Sequence, residues 1–146
     1  MNVLVINGPN LNMLGMRDSV HYGTISYNEL KDYIEKYAVE KGIEVSFFQS
    51  NHEGDIIDRI QKAYSDGIDG IVINAGAYSH YSYAIRDALE ICRFPKAEVH
   101  ISDVMSREPF RRSLVLSEVC DITISGKGPE GYLMALDFLL DKHHII

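Results

Sequence analysis

Apolar residues in this chain gather in short runs, and the runs alternate with longer stretches in which they recur every third or fourth position. Residues 2–6 form the first run, led by Val3-Leu4-Val5-Ile6, and residues 44–49, 70–74, 97–101 and 121–125 supply four more. Each is predicted to be a strand. After the first, Leu30, Tyr33, Ile34 and Tyr37 lie at helical spacing behind Ser26-Tyr27-Asn28-Glu29. That tetrapeptide is a capping box, in which Ser26 and Glu29 each satisfy an orphan N–H, and Gly42 supplies the stop. Ile56, Ile57, Ile60 and Ala63 mark a second helix running up to Gly67, and residues 83–91 a third, closed by Pro95. A last helix starts by Pro129, where a proline costs nothing because its N–H would be unpaired anyway.

Strands of near-continuous Val and Ile, separated by helices, predict a parallel sheet covered on both faces. Five such units in 146 residues suit one α/β domain, 1–146, with a flavodoxin-like doubly wound five-stranded sheet. No internal repeat, low-complexity segment or linker divides it. The apolar runs fall far short of the roughly 20 residues that span a bilayer, so no membrane role is expected. Met1-Asn2 leads straight into a strand, with no basic segment or cleavage site of a secretory signal. Cys92 and Cys120 are widely spaced in hydrophobic surroundings, which predicts reduced, buried thiols in the cytoplasm. The net charge of −7, without a basic run, argues against nucleic acid as a partner. It leaves room for a small anionic ligand, because Arg17, His80, His100 and Arg111 cluster on loops.

In such a fold, ligands bind outside the carboxyl ends of the strands. The loops at those ends, residues 7–24, 50–55, 74–82, 102–113 and 126–131, hold Asn7, Asn10, Asn12, Arg17, Tyr22, Asn51, His52, Asn74, His80, Ser102, Arg107 and Arg111. The opposite loops read as ordinary turns. Asn7-Gly8-Pro9-Asn10-Leu11-Asn12 is neither a dinucleotide fingerprint nor a Walker loop. Its asparagines either cap turns or hydrogen-bond a ligand.

An Arg and a Tyr in one loop, such as Arg17 and Tyr22, are usually surface residues. If they meet in a pocket they have a clear use. A phenol is ionised in only about one molecule in a thousand at pH 7, and a guanidinium alongside stabilises the anion. The pair then furnishes a base able to take a proton next to a carbonyl. His100 ends an apolar strand, where a histidine is often just a satisfied core residue. Glu98, two positions earlier, points to the same face and is placed to orient the ring and hold its proton, which would make His100 a general acid. His80 is placed to bind a hydroxyl. Nothing has the spacing of a metal site or a nucleophile elbow.

Six segments, in order, resemble type II 3-dehydroquinate dehydratase. They are Asn7-Gly8-Pro9-Asn10-Leu11-Asn12, Arg17 with Tyr22-Gly23, Gln49-Ser50-Asn51-His52-Glu53-Gly54, Ile73-Asn74-Ala75-Gly76-Ala77-Tyr78-Ser79-His80, Glu98-Val99-His100-Ile101-Ser102 and Arg107-Glu108-Pro109-Phe110-Arg111. The resemblance implies a cytoplasmic, metal-free and cofactor-free hydro-lyase, assembled as a homododecamer (a tetramer of trimers). It would remove water from 3-dehydroquinate by anti elimination through an enolate, giving 3-dehydroshikimate in the shikimate pathway. Carried over by position, Tyr22 is the base, Arg17 stabilises its charged state, and Asn10 supports the enolate oxygen through a water. His100, oriented by Glu98, protonates the departing hydroxyl. Asn74 and the backbone amides of Ile101 and Ser102 hold the carboxylate, and His80, Asp87 and Arg111 the ring hydroxyls, with Asp87 arriving from a neighbouring subunit. Asp18-Ser19 stands where the family carries Glu-Pro, Ala75 where Pro is common, and Asp103 where Asn is typical; none removes a group the mechanism uses.

The competing reading is a non-catalytic binding module on the same fold. A phospho-acceptor receiver needs carboxylates where Asn7 and Asn74 stand. A flavin carrier needs a Ser/Thr/Gly phosphate loop where Pro9 and Leu11 stand.

Overall fold

The computed structural model describes residues 1–145. Its elements run β1 (Asn2–Asn7), α1 (Ser19–Tyr22), α2 (Tyr27–Glu40), β2 (Glu44–Gln49), α3 (Glu53–Ala63), β3 (Gly70–Asn74), α4 (Tyr83–Ile91), β4 (Lys96–His100), β5 (Ile122–Ser125) and α5 (Glu130–Ile145), with short 3-10 turns in the loops. The five strands form one sheet in the order β2-β1-β3-β4-β5, every pairing parallel. This is the flavodoxin-like order, whose switch point lies between β1 and β3. Asn7 and Asn74 end those two strands as direct register partners.

Strand alternation sorts each apolar run between two cores. Val3, Val5, Val72, Ala97 and Val99 face α2 and α5 and pack with Leu30, Ile34, Ala135 and Leu139. Leu4, Ile6, Ile71 and Ile73 face the other way, onto Ile56 and Ile60 of α3 and Ile85 and Leu89 of α4. Glu98 and His100 alternate with Ala97 and Val99, so they share the α3/α4 side of the sheet.

The capping box forms as the sequence predicts: Glu29 N donates to Ser26 Oγ at 3.1 Å and Ser26 N to Glu29 Oε1 at 3.3 Å. At the other end Gly42 adopts a φ of 71°, while Gly42 N and Ile43 N return to the carbonyls of Val39 and Ala38 in a Schellman stop. The buried stripe of α2 is Leu30, Ile34 and Ala38; Tyr33, expected on it, is exposed. Strand β4 begins one residue earlier than its apolar run suggests. Lys96 is buried there because its ammonium caps α4, donating to the Cys92 carbonyl at 2.6 Å. None of the described helices is long and apolar enough to cross a membrane.

Candidate active site

The loop after β1 is pressed onto the loop after β3. Gly8 N donates to the Asn74 carbonyl at 2.7 Å, and a Cβ on Gly8 would lie 2.4 Å from the Ala75 oxygen, so only glycine permits this approach. Gln49 Nε2 reaches the Gly8 carbonyl at 3.1 Å and Asn51 Oδ1 at 3.2 Å, and Asn51 Oδ1 accepts from Asn10 N at 3.0 Å. Asn10 takes a left-handed φ of 70°, which asparagine tolerates. Asn51 ties loops together, whereas the Asn10 side chain caps nothing and lines the cavity below.

The Arg17–Tyr22 segment holds α1, a single turn. Asp18 caps it, accepting from Val20 N at 2.9 Å, so the Asp18-Ser19 departure is accommodated as a helix start. The turn buries Tyr22 with its hydroxyl oxygen between two guanidiniums. Arg17 Nη2 donates to it at 2.7 Å and Arg107 Nη1 at 2.6 Å. Both guanidiniums also stand over the ring, 3.7 and 5.1 Å from its centroid. Burial draws the Arg17 pKa below its ordinary value, Tyr22 opposes that, and the charges of Arg107 and Arg111 add to it. The phenol thus sits in a strongly positive, partly desolvated corner.

At the end of β4, His100 Nε2 meets Glu98 Oε2 at 2.6 Å, both side chains buried. Nδ1 is left as the atom for a ligand. The other Glu98 oxygen accepts from Ser117 Oγ at 2.8 Å and Thr123 Oγ1 at 3.3 Å, so the carboxylate cannot turn away. His80 stacks near His100, ring centroids 6.2 Å apart, and its Nδ1 lies 2.9 Å from the Ser113 carbonyl. Burial is the main cause that lowers its pKa, partly opposed by the bond to the Ser113 carbonyl, and this favours the neutral imidazole. Its Nδ1–H serves Ser113, and Nε2 is an acceptor suited to a hydroxyl. Asn74 is fixed from below: Gly76 N donates to its Oδ1 at 3.2 Å and its Nδ2 donates to Tyr132 Oη at 3.0 Å.

These groups line one cavity of about 120 Å³. Asn10, Arg17, Tyr22, Asn74, His80, His100, Ile101, Ser102 and Arg111 from the sequence reading all border it, with Glu98 directly behind His100. Asp87 does not join them. It stands on the exposed side of α4, paired with Arg86 at 3.3 Å. Two residues carried no role in the sequence reading. Arg107 borders the cavity and Tyr132 lies buried beneath Asn74. Arg107 was visible as one of three arginines on a rim loop; nothing in the sequence marked Tyr132. A larger groove of about 700 Å³ lies against residues 19–25, Tyr22 among them. It collects few charged groups, whereas Arg17, Arg107, Arg111 and both histidines line the smaller cavity. Among the described residues, no three of His, Cys, Asp and Glu gather as a metal-binding group.

The whole chain has counterparts among known proteins. The family model for dehydroquinase class II matches residues 1–140. The 3-dehydroquinate dehydratase of Thermotoga neapolitana is 57% identical over 139 residues, 95% of this chain and 94% of that protein. The crystal structure of type II dehydroquinase from Butyrivibrio crossotus superposes with a TM-score of 0.95 at 56% identity, covering 96% of this chain and 97% of the other. That of Propionibacterium acnes gives a TM-score of 0.91 at 40% identity, covering 94% of each chain. On the full-length match of sequence and of fold, the chain belongs to the class II dehydroquinases.

Proposed function

We propose that the chain dehydrates 3-dehydroquinate to 3-dehydroshikimate, with Tyr22 as base and His100 as acid. One observation carries the reading: a phenol oxygen held by two guanidiniums borders the same cavity as a carboxylate-backed imidazole. With Arg17 and Arg107 on its oxygen, Tyr22 as phenolate takes the proton from C2, next to the substrate ketone. The C–H electron pair moves onto the carbonyl as an enolate, whose oxygen Asn10 supports through a water. The enolate then collapses to form the C1–C2 double bond and expels the C1 hydroxyl, which leaves as water with the His100 proton. Glu98, 2.6 Å from Nε2, holds the imidazole in place. Tyr22 ends one proton richer and His100 one poorer, and solvent restores both. The elimination is redox-neutral, and these side chains carry each proton, so the reading calls on no cofactor or metal.

Asn74 and the amides of Ile101 and Ser102 hold the substrate carboxylate. His80 and Arg111 take ring hydroxyls. Asp87, outside its own cavity, serves that of a neighbouring chain in a homododecamer built as a tetramer of trimers. The free thiols support a reducing, cytoplasmic setting. Burial raises the pKa of both, that of Cys120 to about 12, so neither is a nucleophile at neutral pH.

The test is ultraviolet absorbance of the chelator-treated protein mixed with 3-dehydroquinate. The conjugated enone of the product absorbs and the substrate does not. A prompt rise, abolished by Tyr22→Phe, is expected. A flat trace from folded protein overturns the reading in favour of a binding role.

A further inference from the structure

Tyr132, in the first turn of α5, touches none of the reacting groups, yet it is fully buried and its hydroxyl joins two strand ends. Its hydrogen-bonding roles follow by elimination. Gly76 N–H can only donate, so the Asn74 atom facing it is Oδ1 and the atom facing Tyr132 is Nδ2. The Tyr132 oxygen therefore accepts from Asn74, and its one hydrogen goes to Asn7 Oδ1, 2.6 Å away. Burial holds this phenol well above its ordinary pKa, so the hydrogen stays in place. Asn74 borders the cavity. One of its Nδ2 hydrogens is committed to Tyr132 and its oxygen to Gly76, so the amide has a single N–H left for a ligand.

A single bond to Gly76 would leave the carboxamide free to swing about that contact. Bonds on opposite atoms fix both its plane and its polarity. We infer that Tyr132 is a positioning residue, whose buried hydroxyl clamps the Asn74 carboxamide so that it presents an N–H donor, and not its oxygen, to the substrate carboxylate. The inference rests on the functional reading above, in which Asn74 holds that carboxylate. The clamp is built from β1, β3 and α5 together, because Asn7 and Asn74 are register partners and Tyr132 reaches both from the last helix.

The clamp acts on binding and not on proton transfer, which separates it from general damage to the fold. Steady-state kinetics of Tyr132→Phe are expected to show KM raised about tenfold, the effect of losing roughly one well-placed hydrogen bond, with kcat nearly unchanged. In an Asn74→Ala background the same substitution is expected to leave KM as it was, because there is no carboxamide left to orient. Asn7→Ala removes the acceptor of the Tyr132 hydrogen while the ring stays in place, and a smaller rise in KM is expected; it provides the answer if Tyr132→Phe does not fold. An unchanged KM in the folded variants, a loss confined to kcat, or an equal loss with and without Asn74 overturns the inference. Wild-type protein that fails to turn over 3-dehydroquinate overturns the functional reading itself, and the wild-type trace alone reveals that outcome.

Discussion

Arg107 and Arg17 hold the same phenol oxygen, but their surroundings differ. Arg107 Nη1 also donates to Ser102 Oγ at 3.1 Å, and its side chain is largely buried, with only a 3.7 Å approach to Glu108 at Nε. Its position is therefore set by the protein and not by solvent. Removing it takes away one of the two donors to the oxygen that serves as base in the proposed chemistry. Arg107→Ala is expected to lower kcat by about a hundredfold or more, the scale of a disabled general base. Arg107→Lys should recover only part of the loss, since both bonds leave Nη1 at the tip of a side chain longer than lysine's, and the ammonium lacks the planar group that stands over the Tyr22 ring. Turnover within a few-fold of wild type in Arg107→Ala would leave Arg17 as the sole partner of the base. The sequence displays Arg107, Arg111 and Arg112 on one loop with nothing to rank them. Their ranking comes from the 3-10 turns at Val104–Ser106 and Pro109–Arg112, which aim Arg107 at Tyr22 and pair Arg111 with Glu108 at 3.0 Å.

The strands and long helices were legible because each carries a local signal, an apolar run, a helical spacing or a terminal proline, and the Ser26 box and Gly42 stop are local devices that need no tertiary context. The rim was legible too, since every residue at the end of a parallel strand faces the same edge of the sheet. What stayed hidden depends on contacts between elements. Lys96 reads as a turn residue until α4 ends above it, and Tyr132 reads as one aromatic of an apolar helix until Asn7 and Asn74 converge on its hydroxyl. The four-residue α1 leaves no trace in periodicity, because one turn is too short to show any. Gly8 lies on the boundary between these cases: glycine in a loop is unremarkable, but here it sets the spacing between two loops. Gly8→Ala is expected to push the loop after β1 away from Ala75, displacing Asn10 and cutting kcat/KM by about tenfold or more. Far-ultraviolet circular dichroism should stay that of a folded protein, because β1 itself is not touched. Wild-type kinetics from this variant would show that the loop has slack the packing does not suggest.

At the scale of the molecule, one chain forms the cavity but leaves Asp87 outside it, 71% exposed, near the exposed apolar side chains of Tyr83 and Ile91 on the same helix. Apolar groups of that size are normally covered when they gather on one face. A neighbouring chain that covers them would receive Asp87 into its own site. The homododecamer is expected in sedimentation velocity. Co-assembled Asp87→Ala and Tyr22→Phe chains are expected to show more activity than the sum of the two alone, since a Tyr22→Phe chain can supply Asp87 to the intact Tyr22 site of an Asp87→Ala chain. A mixture that is merely additive rules out a shared site. The contact between Tyr22 and its two arginines has a further consequence, one of timing. Arg17 and Arg107 repel each other, and the oxygen between them joins the segment bearing α1 to the loop after β4. On the proposed chemistry that oxygen is negative before the reaction and neutral after it has taken the C2 proton. The latch is therefore strongest while the substrate is intact and weakens once the proton has moved, so the step that commits the substrate also starts the release of the product.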